Sequence, residues 1–203
     1  MKDFVNVGLL GAGTVGGGVL KVLEKNAEKI AKEVGKPVRI TKVLDRHVDR
    51  LKQEYGDKYI FTDNADEVLE DKDIDIIVEL LGREHPAKEF IARAFANGKH
   101  VVTANKDVLA KFGAELFPLA HEHNCDFMFE ASVCGGIPII GPLKTSMAAS
   151  QITSIMGIVN GTTNFMLTKM VRENLGFDEA LKIAQELGYA ETKDPGDDVD
   201  GRD

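Results

Sequence analysis

The sequence has little cysteine, no long apolar run and a shortage of positive charge. Its two cysteines, Cys125 and Cys134, lie in apolar or glycine-rich surroundings rather than in a spaced framework, which predicts free thiols in a reducing compartment. No apolar run approaches the length of a membrane span, and the first predicted strand starts too close to Met1 to leave room for a signal peptide. We therefore expect a cytoplasmic protein with no membrane partner.

Acidic residues outnumber basic ones, 33 Asp and Glu against 25 Lys and Arg, so the formal net charge is −8. This balance, without a basic stripe, argues against nucleic acid as a partner. The length of 203 residues allows one large domain or one and a half smaller ones. The bulk properties thus favour a globular protein that acts on a small molecule.

A glycine-rich turn near the N-terminus is the most informative stretch of the sequence. An apolar run over residues 5–10 leads into the turn, and a helical pattern follows it, which is the order of a dinucleotide-binding site. The first glycine would permit a tight turn, the second would admit a pyrophosphate, and the third would let the helix lie close to the strand. The alternative is a flexible glycine loop. The predicted cofactor-binding residues are Gly11, Ala12, Gly13, Thr14, Val15 and Gly16.

Strand and helix patterns alternate from the turn to about residue 130. Such an alternation predicts an α/β fold with a Rossmann-type doubly wound parallel sheet, which we assign to an NAD(P)-binding domain of residues 1–130. One strand, Ile74–Leu81, is a continuous apolar run broken by Asp75 and Glu79. The predicted helices are Val15–Val34, Asp49–Tyr55, Ala65–Glu70, His85–Asn97 and Asp107–His123, and the other predicted strands are Val38–Leu44, Tyr59–Phe61, His100–Thr103 and Cys125–Glu130.

The pattern changes after Glu130, where a stretch rich in glycine and proline begins. We expect residues 131–203 to form part of an α+β substrate-binding or catalytic domain. The sequence predicts one strand there, Gln151–Val159, and helices at Pro138–Ala148, Thr162–Glu173 and Phe177–Leu187. Because one strand cannot make a sheet, we expect the chain to be the N-terminal part of a longer protein.

Ligands of an open α/β sheet bind beyond the carboxyl ends of its strands. Gly82 and Thr103 occupy two such ends and are predicted to contact the cofactor. At the end of the second strand, Asp45 suits a ribose 2′-hydroxyl and Arg46 suits a 2′-phosphate, so we expect NAD and NADP both to be accepted. The alternative for this pair is a surface salt bridge.

Lys106 follows the fifth predicted strand and would lie beside the nicotinamide end of a bound cofactor. There it could hold a substrate carboxylate or carbonyl, or pass a proton; the alternative is that Lys106 is a solvated surface lysine.

The C-terminal stretch is rich in acids, which could receive a substrate ammonium or simply form a solvated loop. Cys134 is a candidate nucleophile that would need a histidine base. The histidine positions offer no obvious partner, which favours a small buried thiol.

Several motifs together resemble the homoserine dehydrogenase family, and the resemblance covers essentially the whole chain. NGTTNFML and the GYAE…DVDG pattern are far more specific than the glycine turn. The motifs are GAGTVGGGV in the turn, TANK at Thr103–Lys106, EASVCGGIPII at Glu130–Ile140, GIVNGTTNFMLTKM at Gly157–Met170 and LGYAETKDPGDDVDGRD at the end.

The resemblance implies NAD(P)-dependent interconversion of L-homoserine and L-aspartate 4-semialdehyde, on the route to threonine and methionine. It adds Gly188 to the cofactor contacts and makes Glu191, Asp198 and Asp203 the substrate-binding acids, with Lys106 and Asp203 catalytic. It also implies a sodium-like monovalent cation and, for the full-length chain, a homodimer. The implied cation ligands are Glu130, Val133, Gly135 and Ile137.

The sequence departs from the family in one respect that bears on activity. The family's usual proton-transfer lysine comes soon after a GRD-type segment, whereas Asp203 is the last residue here. We therefore expect this chain to bind cofactor but to turn over poorly. Two other functions stay open: a thiol-dependent semialdehyde dehydrogenase that uses Cys134, and a non-catalytic nucleotide-binding module.

Overall fold

A computed structural model describes residues 3–190 and 196–199. The chain divides into two compact units, Met1–Ser132 and Val133–Asp203. None of the described helices is long and apolar enough to cross a membrane.

The first unit contains one six-stranded parallel sheet with the order β3-β2-β1-β4-β5-β6. Chain order reverses between β1 and β4, which makes that boundary the topological switch point of a Rossmann fold. The predicted fold class is therefore confirmed for this unit. The strands are β1 Val5–Leu10, β2 Val38–Leu44, β3 Ile60–Thr62, β4 Ile76–Glu79, β5 His100–Thr103 and β6 Phe127–Met128.

Helices of the first unit cover both faces of this sheet. Neighbouring residues of one strand point to opposite faces, so Leu9 belongs to the buried cluster that includes Leu20, and Leu10 to the cluster that includes Ile91 and Leu116. The helices are α1 Thr14–Lys25, α2 Ala27–Val34, α3 Val48–Tyr55, α4 Asp66–Leu69, α5 Ala87–Ala96 and α6 Lys106–Glu122, followed by a 3-10 helix at Glu130–Ser132.

Most predicted elements of the first unit differ from the observed ones only at their ends, as β4 does, which is Ile76–Glu79 where Ile74–Leu81 was predicted. Two differ in more than that. The helix expected over residues 15–34 is two helices, because the Asn26 side chain donates to the Val22 carbonyl oxygen at 3.0 Å and ends the first helix there. The strand expected over residues 125–130 pairs with β5 at Phe127 and Met128, and its end turns into the 3-10 helix.

The regular elements in the described part of the second unit are all helices. Its elements are α7 Ile140–Lys144, α8 Gly161–Glu173, α9 Phe177–Glu186 and α10 Gly196–Val199. Met166 of α8 is buried against alanines of α9, and Thr162 donates to the Tyr189 carbonyl oxygen at 2.6 Å. These contacts make a small core between two helices.

The strand predicted at Gln151–Val159 is wrong. This segment is irregular and exposed, with Ile155 71% and Met156 98% exposed. Among the described residues of the second unit no strand is present for it to pair with, and a strand without a partner leaves its backbone groups to water. The helix expected over residues 138–148 is also shorter, since α7 covers Ile140–Lys144.

Candidate functional site: the glycine turn and the carboxyl edge of the sheet

The glycine turn lies between β1 and α1 and is fixed by its neighbours on both sides. The Gly11 N–H donates to the Leu44 carbonyl oxygen at 2.8 Å, and the Leu80 N–H donates to the Leu10 carbonyl oxygen at 2.8 Å. Gly11 has a φ of +92°, and a β-carbon there would lie 2.8 Å from the Leu80 carbonyl oxygen. Both the backbone conformation and the space therefore require glycine.

Gly16 and Gly13 are glycines for different reasons. A β-carbon on Gly16 would lie 2.1 Å from the Gly11 carbonyl oxygen, so glycine is needed for the close approach of α1 to the turn. A β-carbon on Gly13 would meet no atom within 4 Å. Gly13 is exposed and borders open space, which leaves room for a ligand next to the backbone.

Helix α1 presents its N-terminus to this open space. Gly13 is the N-cap and has no side chain to accept from the first turn, while Thr14 and Val15 are exposed. The first N–H groups of a helix have no partner within the helix, and the helix dipole adds positive charge there. A phosphate group suits this position.

The Asp45 side chain holds the glycine turn in place through a hydrogen bond. Its Oδ2 accepts from the Ala12 N–H at 2.9 Å, and its Oδ1 accepts from the His47 N–H at 2.8 Å. Each carboxylate oxygen of Asp45 thus has a main-chain donor. Arg46, two residues after β2, is exposed and lines the adjoining cavity, and Arg50 Nη2 donates to the Ala12 carbonyl oxygen at 3.4 Å.

A cavity of about 430 Å³ opens at this edge of the sheet, across the switch point. This is the size range of small-molecule sites. The turn, the ends of β2, β3 and β4, and the start of α5 all contribute to its wall. The lining residues are Gly11, Gly13, Leu44, Asp45, Arg46, His47, Asp63, Ala65, Leu80, Leu81, Arg83, His85, Pro86 and Phe90.

The opposite edge of the sheet has a smaller cavity, of about 330 Å³, next to Asp75 and His100. Lys99 in its wall is buried and donates to the Ile74 carbonyl oxygen at 3.0 Å. The amino ends of β4 and β5 border this cavity, whereas the glycine turn and the N-terminus of α1 lie at the other edge. It is therefore the weaker candidate for a phosphate-bearing ligand.

A buried polar group lies at the ends of β4 and β5. Glu79 and Thr103 are both 0% exposed, and the Thr103 hydroxyl donates to Glu79 Oε2 at 2.6 Å. Burial raises the pKa of Glu79 above the usual carboxyl range. Lys106 is half-buried and is the first residue of α6, which Asn105 caps by accepting from the Val108 N–H at 3.2 Å.

The structure places the remaining predicted site residues separately. Gly82 follows β4 with a φ of +70°, and Gly188 follows α9 with a φ of +78°. Asp198 belongs to α10, but its side chain lies outside the described part of the structure, as do Glu191 and Asp203 entirely.

The four residues implied as cation ligands are divided between the two units. Glu130 begins the 3-10 helix of the first unit and is half-buried, whereas Val133, Gly135 and Ile137 belong to the second. Among the described residues, no group of three His, Cys, Asp or Glu side chains could hold a metal ion. The implied site depends mainly on backbone carbonyls, so the sodium-like ion stays a prediction.

Sequence reasoning missed Glu79 as a site residue. Its position in an otherwise apolar strand was the available signal, since a carboxyl group in a buried strand needs partners. The structure identifies those partners as groups at the ends of β4 and β5.

Comparison with known families matches nearly the whole chain in two parts. Residues 11–130 match the homoserine dehydrogenase NAD-binding domain, and residues 138–203 match the homoserine dehydrogenase domain. Homoserine dehydrogenases from Bacillus subtilis and Neisseria gonorrhoeae are 46% and 47% identical to the chain over 199 residues, which is 98% of this chain and 46% and 45% of theirs. The chain thus spans about half the length of these relatives.

Solved structures give the same result. A homoserine dehydrogenase from Thiobacillus denitrificans has a TM-score of 0.88 at 46% identity, over 97% of this chain and 45% of that one. A hyperthermophilic archaeal homoserine dehydrogenase in complex with NADPH has a TM-score of 0.82 at 30% identity, over 98% of this chain and 65% of that one. With the glycine turn, the strand order and both halves of the sequence in agreement, the chain belongs to the homoserine dehydrogenase family.

Proposed function

We propose that the chain binds NAD or NADP at the carboxyl edge of its sheet and serves the interconversion of L-homoserine and L-aspartate 4-semialdehyde. The observation that carries this proposal is the cavity across the switch point, bordered by a glycine turn that has open space at Gly13. Family membership supplies the reaction, since the relatives are homoserine dehydrogenases.

The phosphates of the cofactor would lie at the N-terminus of α1, against the backbone of Gly13, Thr14 and Val15. The exposed side chains and the open space there fit such a group. The adenosine ribose would lie at the end of β2. Each Asp45 oxygen accepts one main-chain N–H and keeps a lone pair that can accept from a ribose 2′-hydroxyl, and the exposed Arg46 guanidinium offers donors for a 2′-phosphate.

A bound nicotinamide supplies the hydride acceptor for oxidation of the alcohol. What the chain adds is orientation, which can be worth several kcal/mol of the barrier, and a group for the hydroxyl proton. Lys106, at the start of α6, is our choice for holding the substrate's polar group or passing its proton. Thr103 and Gly82 lie at the ends of the strands that would face the nicotinamide end.

The substrate's ammonium group would be bound by carboxylates of the C-terminal stretch, Glu191, Asp198 and Asp203. A sodium-like ion held by Glu130 and by the carbonyls of Val133, Gly135 and Ile137 is part of the same proposal, because hard oxygen donors suit such an ion. The proposal also includes a cytoplasmic location and, for the full-length protein, a homodimer.

The test of cofactor binding is a fluorescence titration of NADPH into the chain and into Gly13→Ala. The added methyl group clashes with no protein atom but intrudes on the space assigned to the phosphates, so we expect affinity to fall by about tenfold or more with little change in stability. Gly18→Ala is the matched control, since its methyl group also meets nothing within 4 Å but lies inside α1. Equal affinities for all three proteins would contradict the proposal.

Two further measurements separate the reaction from its alternatives. Homoserine should tighten NADP binding if the site is catalytic, whereas a non-catalytic nucleotide-binding module would show no such coupling.

Cys134→Ala should leave any turnover intact, while loss of turnover would favour a thiol-dependent semialdehyde dehydrogenase. All five histidines belong to residues 1–132, so the second unit offers Cys134 no histidine base of its own.

A further inference from the structure

Glu79 is a carboxyl group buried at the last position of β4, and the chemistry proposed above does not use it directly. Its side chain is 0% exposed, and its neighbours on the strand are apolar. A buried carboxyl group is unfavourable unless it is well hydrogen-bonded. The Glu79 carboxyl group therefore needs hydrogen-bond donors around it in the fold.

The Glu79 carboxyl group accepts hydrogen bonds from donors at or just after the ends of two strands. Oε1 accepts from the Leu81 N–H at 2.7 Å and lies 3.5 Å from Asn105 Nδ2. Oε2 accepts from the Thr103 hydroxyl at 2.6 Å. Thr103 and Asn105 are themselves buried, 0% and 4% exposed. One carboxyl group thus joins the segment after β4 to the end of β5 and the residues that follow it.

A second layer of hydrogen bonds extends this connection on both sides. The Asn105 Nδ2 group donates to the Arg83 carbonyl oxygen at 2.8 Å, and the Thr103 hydroxyl accepts from the Asn105 N–H at 3.0 Å. Asn105 also caps the helix whose first residue is Lys106. Leu81 and Arg83 line the cavity across the switch point.

We propose that Glu79 is a positioning residue that holds the cavity wall at residues 80–83 and the start of α6 at Lys106 in one fixed arrangement. The proposal rests on the proposed function, because it assigns the arrangement to cofactor binding. Glu79 acts through Leu81, Thr103 and Asn105 and touches neither cofactor nor substrate itself.

The partners' chemistry explains why a carboxyl group is used. Each partner donates, so the side chain at position 79 must offer acceptors on both of its terminal atoms. Glutamine has the same shape but replaces one acceptor with an NH₂ group. In Glu79→Gln, an NH₂ group in the place of Oε1 would face the Leu81 N–H and Asn105 Nδ2, which only donate, and one in the place of Oε2 would force the Thr103 hydroxyl to accept instead of donate. In either orientation the hydrogen bonds between the two segments must rearrange.

The test compares NADPH affinity in the wild-type chain, Glu79→Gln and Asp75→Asn. Asp75 is the matched control, because it lies beside the opposite end of β4 and accepts from the Asn6 N–H at 2.9 Å. We expect Glu79→Gln to weaken NADPH binding by about tenfold, since small displacements of positioned groups carry costs of that order or more. Asp75→Asn should bind as the wild type does.

Two readouts distinguish positioning from a general loss of stability. Amide hydrogen exchange at Leu81 and Asn105 should speed up in folded Glu79→Gln, while exchange at the centre of β1 stays unchanged. Thr103→Val, which removes the hydroxyl donor, should also weaken NADPH binding, and the double variant should be no weaker than the worse single variant. If Glu79→Gln does not fold, Thr103→Val carries the same test, with Asn105 as the exchange probe.

The outcomes separate this inference from the function on which it rests. A folded wild-type chain that does not bind NADPH would overturn the proposed function and the inference with it. Wild-type binding together with unchanged affinity and exchange in Glu79→Gln would overturn the inference alone. Additive effects of Glu79→Gln and Thr103→Val would also contradict it.

Discussion

The two units differ in how they bury the apolar residues of their extended segments. In the first unit, Leu9 and Leu10 of β1 enter clusters on opposite faces of the sheet, and both are fully buried. In the second unit, the apolar segment at residues 151–159 lies in solvent. Most residues of both segments are apolar or glycine, so the difference lies in whether neighbouring strands and helices of the described structure cover them.

This comparison indicates where binding and stability are concentrated. The first unit has a fixed carboxyl edge, with the glycine turn braced by Asp45 and the ends of β4 and β5 joined by Glu79. The described part of the second unit has a small core in which Met166 packs against alanines. We therefore expect substitutions at the edge of the first unit to have larger effects than substitutions in the second.

The largest effect is expected for Gly16→Ala. The new methyl group would lie 2.1 Å from the Gly11 carbonyl oxygen, so the turn or the start of α1 must move. We expect the free energy of unfolding to fall by about 3 kcal/mol, at the upper end of the range for overpacked sites. Urea unfolding measures this, with Gly18→Ala as the control; an unchanged midpoint for Gly16→Ala would show that the close approach is not real.

Met166→Ala should have a smaller and more local effect. Met166 is 2% exposed, and its removal leaves a cavity among small side chains, which we expect to cost about 2 kcal/mol. The loss should appear as faster hydrogen exchange in α8 and α9, with exchange at the centre of β1 unchanged. Faster exchange in β1 as well would contradict a core confined to the second unit.

A pH series should reveal the buried carboxyl group of the first unit. Because burial raises the pKa of Glu79 above its usual 4.5, the folded state holds a proton that the unfolded state releases in the interval between the two values. The free energy of unfolding should therefore fall as pH rises through that interval. Glu79→Gln lacks this component, so its stability should converge on that of the wild type over the same interval. Parallel curves would contradict the pKa assignment.

The smallest effect is expected for Ile155→Thr in the exposed segment of the second unit. The Ile155 side chain is 71% exposed, and surface substitutions usually change stability by less than about 0.5 kcal/mol. Thermal and urea unfolding should give the wild-type values within that limit. A loss of 2 kcal/mol or more would mean that the segment is buried in solution.

Much of the first unit followed from its sequence, because the pairing partners of its strands lie within the same chain. The glycine turn predicted the strand, turn and helix that the structure has, and the alternation of patterns predicted the parallel sheet. The same reasoning was wrong for residues 151–159. Their apolar pattern is that of a strand, but a strand forms only where another strand pairs with it.

The candidate site was less predictable than the fold. Motif position identified the turn, Asp45 and Lys106, but not their contacts. That both Asp45 oxygens accept from main-chain N–H groups depends on the path of two loops. The role of Glu79 depends on donors 24 and 26 residues away in the chain, which strand order brings together and local pattern does not reveal.

Amide hydrogen exchange of the chain with and without NADPH tests the central claim most directly. If the cofactor binds at the switch point, NADPH should slow exchange at Thr14, Val15 and Gly16 and at the wall residues 81–83. Exchange around Lys99 and His100, beside the cavity at the opposite edge, should stay as it is. Protection at that opposite edge, with none at the glycine turn, would contradict the account.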